Sequence, residues 1–182
     1  MIHIYCNNKK AVYYDAESKK YVCNSFANAD TRAIVSDLQL TPEGTKMLKM
    51  GAISPTIIYL SISMENKVNG NHFTYGHTEN NGAYMTGKKG YYKGKKYYKT
   101  AFIKVYLKSI LKDGTTSDPK HSGITVDQTI GAIAGHELTH AANPIEVNKD
   151  IKFKIKHPSQ ERPDTEIEAL KVERIICDQS RK

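Results

Sequence analysis

Apolar and polar positions recur along this chain with two periods, one suited to strands and one to helices. Three short β-prone pieces open it, Ile2 to Cys6, Ala11 to Tyr14 and Lys20 to Cys23, separated by polar turns, and they read as a small scaffolding meander. A helix is predicted from Asp30, with Ala33, Ile34, Val35 and Leu38 turned inward. Thr41-Pro42-Glu43 caps and opens a second helix that runs through Met50 and ends at Gly51. Pro55 to Ser63 carries Ile57, Ile58, Tyr59, Leu60 and Ile62, a run suited to a central strand. Glu65 to Gly87 is polar and rich in asparagine, with one strand expected at His72 to His77. These two histidines read as surface residues, too poorly spaced to share a metal. Thr100 to Leu111 reads as a strand with Lys104 and Lys108 facing water, followed by a loop over 113–119. After the helix described next comes Asn143 to Pro163, with a β-prone Ile151 to Ile155 and His157 in a loop, and a last helix is expected from about Asp164 to Asp178.

Ile124 to Ala142 carries the candidate chemistry. Ile130, Ile133, Ala134 and Leu138 recur at helical spacing, Thr125 or Asp127 can cap the first turn, and Pro144 supplies a stop. Gly131 and Gly135 each weaken a helix relative to alanine, so they mark places where another backbone or a metal site comes close. Inside this frame lies His136-Glu137-Leu138-Thr139-His140. Two histidines four residues apart stack on one helical face and can bind one zinc ion, with Glu137 beside them as general base.

A catalytic zinc takes three protein ligands and a water, so a further donor is needed. Metzincin spacing would place it at Glu146, but no methionine follows Met85 to make a Met-turn, and Pro144 restricts Asn143. A gluzincin arrangement would use a glutamate from a second helix. Between Asp164 and Ile176 the residues Glu166, Ala169, Leu170 and Glu173 share a face, and Ala169 is small enough to admit the histidine-bearing helix closely. Glu166 is the preferred third ligand and Glu168 points elsewhere. Glu146, Glu173 and His157 stay open as alternatives, and Glu173 is also suited to orient a ligand histidine. Tyr84, the Tyr91 to Tyr98 group and Arg174 are candidates for stabilising an oxyanion.

Composition narrows the class. With 182 residues, 39% of them hydrophobic, the chain fits one domain spanning 1–182. Its first residues lack the pattern of a secretory signal, and no run approaches membrane-spanning length. Cys6, Cys23 and Cys177 are too few and scattered for a disulfide framework. Free thiols are expected, although Cys6 and Cys23 could pair if their strands do. The net charge of +8 concentrates in the Lys/Tyr stretch from Lys88 to Lys99, read as a solvated β-hairpin turning at Lys93-Gly94-Lys95. Nucleic acid is the less favoured partner because no recognised nucleic-acid module surrounds that stretch.

Thr41-Pro42-Glu43-Gly44 before a short helix and a strand, then His136-Glu137-Leu138-Thr139-His140-Ala141, then Glu166-x-x-Ala169-x-x-x-Glu173, resembles bacterial effector and toxin-type zinc metallopeptidases. These include type III effector proteases and metallopeptidase domains of polymorphic toxins. The resemblance implies an α+β, single-domain zincin-like fold, with a mixed or antiparallel sheet packed on the HExxH helix and a C-terminal glutamate-bearing helix. It further implies a gluzincin-like enzyme with Zn2+ as cofactor, hydrolysing peptide bonds with Glu137 as general base. Such a protein would be made in the bacterial cytoplasm and secreted or delivered into a target cell. Its partners would be a protein or peptide substrate, and secretion machinery or a cognate inhibitor. This chain departs from the pattern at Thr165, where many of those proteins carry another glutamate. Two other readings remain: a basic protein- or nucleic-acid-binding module without catalysis, and a zinc hydrolase of peptidoglycan peptides.

Overall fold

A computed structural model describes residues 3–70, 72–114 and 118–182, so Ile2 and residues 115–117 of the expected 113–119 loop lie outside the described residues. The chain is a mixed α+β structure. It begins with β1 (Ile4–Cys6), β2 (Lys9–Lys10), β3 (Val12–Asp15) and β4 (Lys20–Cys23). The expected meander divides here: β3 and β4 form their own antiparallel hairpin, while β1 pairs antiparallel with β2 and parallel with β5 (Ile57–Ser63). Burial decides this, because Ile4 is fully buried and is satisfied beside Ile58 rather than in an exposed meander.

Helix α1 (Ala29–Leu38) starts from Asn28, whose side chain accepts from the Thr31 N–H, and buries Ile34, Val35 and Leu38. In α2 (Pro42–Ile53) the Thr41 hydroxyl accepts from the Gly44 N–H, and Pro42 occupies the first turn, where its missing N–H costs nothing. Gly51 does not end this helix. It lies inside α2, where an added Cβ would come within 2.8 Å of Leu138 Cδ2, so it serves as a notch for a neighbouring helix.

The polar stretch after β5 differs most from expectation. It contains β6 (Val68–Asn69), β7 (His72–Phe73) and the eleven-residue β8 (Gly76–Thr86), which pairs antiparallel with β9 (Lys96–Tyr106). An edge strand is held by its backbone ladder and needs no apolar alternation, so its composition reads as loop. β9 begins earlier and ends sooner than expected. Leu107 turns into the one-turn α3 (Leu107–Ser109), followed by a π-helical turn at Ile110–Gly114. The Lys/Tyr stretch is the connection between β8 and β9 plus the start of β9, with a 3-10 turn at Gly90–Tyr92 and a left-handed Gly94, rather than a self-contained hairpin.

The resulting five-stranded sheet has the order β2-β1-β5-β9-β8, with β1, β5 and β9 parallel and the edges antiparallel. Ile58, Leu60, Ala101, Ile103 and Val105 line its buried face. Against them pack α1, α2 and α4 (Val126–Ala142), which carries the HELTH motif and buries Ile130, Ile133, Ala134 and Leu138 as expected. Thr125 and Gln128 close a reciprocal capping box at its start.

The segment after α4 is α5 (Pro144–Lys156), so Ile151 to Ile155, read as β-prone, is helical instead. Asn143 caps it by accepting from the N–H groups of Ile145 and Glu146, and Val147 and Ile151, one turn apart, bury its inner face. The chain closes with α6 (Thr165–Ser180) against α4. Cys6, Cys23 and Cys177 are free thiols, and burial pushes the Cys177 thiol up to about 12. Among the described residues no helix is long and apolar enough to cross a membrane.

Candidate metal centre

Two helices and one edge strand build the site. Gly131 makes the backbone approach expected of it, since a Cβ there would lie 2.6 Å from the Asp37 carbonyl oxygen of α1, whereas Gly135 meets a side chain rather than a backbone or a metal site: a Cβ there would run into Ile176 Cδ1 of α6. With α6 pressed against α4 at Gly135, and Ala169 fully buried on its inner side, Glu166 and Glu173 stand two turns apart facing the histidines.

His136 Nε2 and His140 Nε2 face each other at 3.2 Å. Glu166 closes the figure, with Oε2 3.1 Å from His136 Nε2 and Oε1 3.3 Å from His140 Nε2. A tetrahedral zinc with bonds of about 2.0–2.2 Å to nitrogen and oxygen spaces its ligands about 3.3–3.6 Å apart, and the separations here, made through both Glu166 oxygens, lie at or just below the short end of that range. The three side chains form a group able to hold a metal, and the two imidazoles with one carboxylate are donors that zinc accepts. The imidazoles are 12% and 16% exposed and the Glu166 carboxylate 57%, so the open side of the triangle faces solvent through Glu166.

Glu173 binds from behind. Its Oε2 lies 2.8 Å from His136 Nδ1, which keeps a proton on that nitrogen and leaves the lone pair of the neutral ring at Nε2, toward Glu166 and His140. Its Oε1 lies 3.0 Å from Nε2 of His121, a fully buried histidine in the turn before α4. Burial pulls the His136 pKa down, but hydrogen bonds to Glu166 and Glu173 and the Glu137 charge outweigh it and raise the value to about 10. The same hydrogen bonds, from His136 and His140, hold Glu166 far below the usual carboxylate range. Burial alone would raise Glu173, yet bonds from His121 and His136 pull it well below that range too. The site therefore favours a cation at His136, whether proton or metal ion.

Glu137 occupies a different environment. Burial raises its pKa, against the charges of His136 and His140 and a hydrogen bond from Thr78. The Thr78 hydroxyl lies 2.8 Å from Glu137 Oε2 and 3.0 Å from the Glu137 carbonyl, and Asn80 Nδ2 donates to the His140 carbonyl at 3.2 Å. Both residues come from β8. That strand approaches closely because Gly76 has no Cβ, which would otherwise sit 2.5 Å from Glu137 Oε1.

The remaining expected residues separate clearly. Glu146, on α5, is taken up by Arg162 at 2.7 Å and Lys149 at 2.9 Å and stands outside the triangle. Those cations more than offset burial and lower its pKa. His157 ends α5 and packs on Phe153, and Glu168 pairs with Lys171 at 3.7 Å. A cleft of about 1040 Å³ opens at the triangle. Tyr84, Tyr91 to Tyr98 and Arg174, the sequence candidates for oxyanion stabilisation, are not among its lining residues. Tyr75, Arg162 and the exposed His72 and His77 are. Thr78, Asn80 and His121 escape sequence reasoning: they lie 52 to 60 residues from their partners, and no local pattern marks them.

Compared with protein-family models, curated proteins and solved structures, the chain finds no match in any of the three.

Proposed function

We propose that this protein is a zinc metallopeptidase in which His136, His140 and Glu166 hold the metal and Glu137 is the general base. The observation that carries the reading is the triangle of donors 3.1 to 3.3 Å apart, next to a buried glutamate on the same helix turn. Bound there, zinc supplies a Lewis acid that polarises the scissile carbonyl and lowers the pKa of water to about 7.

The chain's own residues perform the rest. Glu137, with its pKa raised by burial, accepts the proton from the attacking water and returns it to the leaving amine. Thr78 fixes the Glu137 carboxylate by one oxygen, so the group does not swing away from the histidines. Glu173 sets the His136 tautomer, and His121 holds Glu173 from its other oxygen. β8 is an edge strand whose outer backbone groups pair with no other described strand, and it runs past Glu137. An extended peptide can hydrogen-bond there as an added strand. Delivery as a secreted bacterial effector or toxin is supported only by the resemblance of the HELTHA helix and the Glu166 to Glu173 helix.

The test is metal analysis of purified protein together with hydrolysis of a library of short internally quenched peptides. Roughly one zinc per chain is expected, lost in His136→Ala and His140→Ala, with peptide cleavage retained by neither variant. Full zinc occupancy in both variants, or undiminished cleavage by Glu137→Gln, overturns the proposal.

A further inference from the structure

The positive charge of this protein has a single origin. Residues 80–112 contain nine lysines, no arginine and no acidic residue, whereas the rest of the chain carries eighteen Lys and Arg against nineteen Asp and Glu. Six of these lysines, Lys88, Lys89, Lys93, Lys95, Lys96 and Lys99, lie in the β8–β9 connection and the first turns of β9. None of the six pairs with a carboxylate among the described residues. Like charges held together without counter-charges raise the free energy of the folded surface, and an acidic partner relieves that cost.

A cavity of about 520 Å³ sits among them, bounded by Ile53, Pro55, Met85, Tyr91, Lys88 and Lys89, and it shares no lining residue with the cleft at the metal centre. Met85 is 46% and Tyr91 72% exposed, so apolar surface and cations lie side by side. The floor is fixed: Tyr92 is buried, its hydroxyl donates to the Ala142 carbonyl at the end of α4 and accepts from Ser54 at 3.2 Å. Lys95 Nζ donates to the Tyr91 carbonyl at 2.8 Å and braces the turn.

We propose that this end of the β8–β9 hairpin is a docking site for an acidic polypeptide segment whose apolar side chain enters the cavity. Two observations favour polypeptide over nucleic acid. A base-stacking platform needs successive open ring faces, but Tyr84 packs edge to face on Tyr98 and Tyr92 on Tyr97, which leaves Tyr91 as the most open ring of the group. Arginine, whose planar fork matches phosphate, is absent from residues 80–112, and lysine point charges suit carboxylates equally well. The site stands independently of the metal centre.

The experiment measures binding by fluorescence anisotropy at low salt with three probes. These are an all-acidic peptide with one central Phe, the same peptide with Ser at the centre, and an oligothymidine of matched charge. The Phe peptide is expected to bind most tightly, to lose affinity as salt rises, and to bind about tenfold more weakly to the variant Lys88→Ser, Lys89→Ser, Lys93→Ser, Lys99→Ser. Met85→Ser is expected to weaken the Phe peptide but not the Ser peptide. Absent peptide binding, indifference to the lysine changes, or equal affinity for the Phe and Ser peptides overturns the proposal. Tighter binding of oligothymidine overturns it in favour of nucleic acid. Zinc content of the same lysine variant is expected to match the parent, so failure here leaves the metal-centre reading standing.

Discussion

The Glu173 carboxylate meets His136 Nδ1 at 2.8 Å with one oxygen while its other oxygen meets buried His121 at 3.0 Å, so α6 reaches the HELTH helix through a histidine-carboxylate-histidine bridge. The bridge explains why α6 carries two glutamates on the side toward α4: Glu166 faces the Nε2 atoms of His136 and His140, and Glu173 holds the His136 ring.

Removing the bridge is expected to loosen the metal without emptying the site. Glu173→Ala and His121→Ala should each weaken zinc binding, by about 10- to 100-fold for Glu173 and less for His121, because the histidines and Glu166 remain. Competition with a chromophoric chelator measures this. A His121→Ala protein with parent affinity would show that His121 only fills space.

Glu166→Ala is expected to lower zinc affinity more than Glu173→Ala does, whereas Glu168→Ala leaves it unchanged, since Glu168 faces Lys171 and water. Chelator competition on the three variants orders them. Greater loss from Glu146→Ala than from Glu166→Ala would reassign the third ligand, although Glu146 is committed to Arg162.

The two glycines of α4 are expected to differ. A Cβ at position 131 meets the backbone of Asp37, which cannot rotate away, while one at position 135 meets the far end of the Ile176 side chain, which can. Gly131→Ala should destabilise by about 1–3 kcal/mol despite alanine's better helix propensity, and Gly135→Ala by less. Urea unfolding compares them, and equal midpoints would contradict the packing account.

Asp37 supplies a pH dependence outside the His136, His140 and Glu166 group. Burial, with the Asp127 charge, raises its pKa from 3.8 to about 7. Between these values the folded chain keeps a proton that the unfolded chain releases. Its contribution to stability is therefore complete below pH 3.8 and is lost as pH rises through about 7. Asp37→Asn should gain about 1 kcal/mol over the parent at pH 8, after discounting for solvent screening, and little at pH 3, below the unfolded value. The same gain at both pH values would show that the charge is not the cause.

Sequence by itself determined the features that depend on neighbours within a turn or two. The start of α4 at Thr125 or Asp127, its apolar face, the stacking of His136 and His140 with Glu137 between them, and the shared face of Glu166, Ala169 and Glu173 all follow from helical periodicity and capping chemistry. Gly131 and Gly135 announced close approaches by another backbone or a metal site, which is right for Gly131 and not for Gly135, where a side chain comes close. Only the tertiary structure decided what lies far away along the chain. It made α5 a helix whose Glu146 is claimed by Arg162, turned the polar stretch after β5 into edge strand β8, and brought Thr78 to Glu137 and His121 to Glu173. Those pairings span 52 or 59 residues in two cases and carry no local signature, because a hydrogen bond between distant residues leaves no period in the sequence. The choice among Glu146, Glu166 and Glu173 belongs to the same class: each is an ordinary glutamate on a helix, and its role depends on which cation or imidazole the packing of α4, α5 and α6 sets before it.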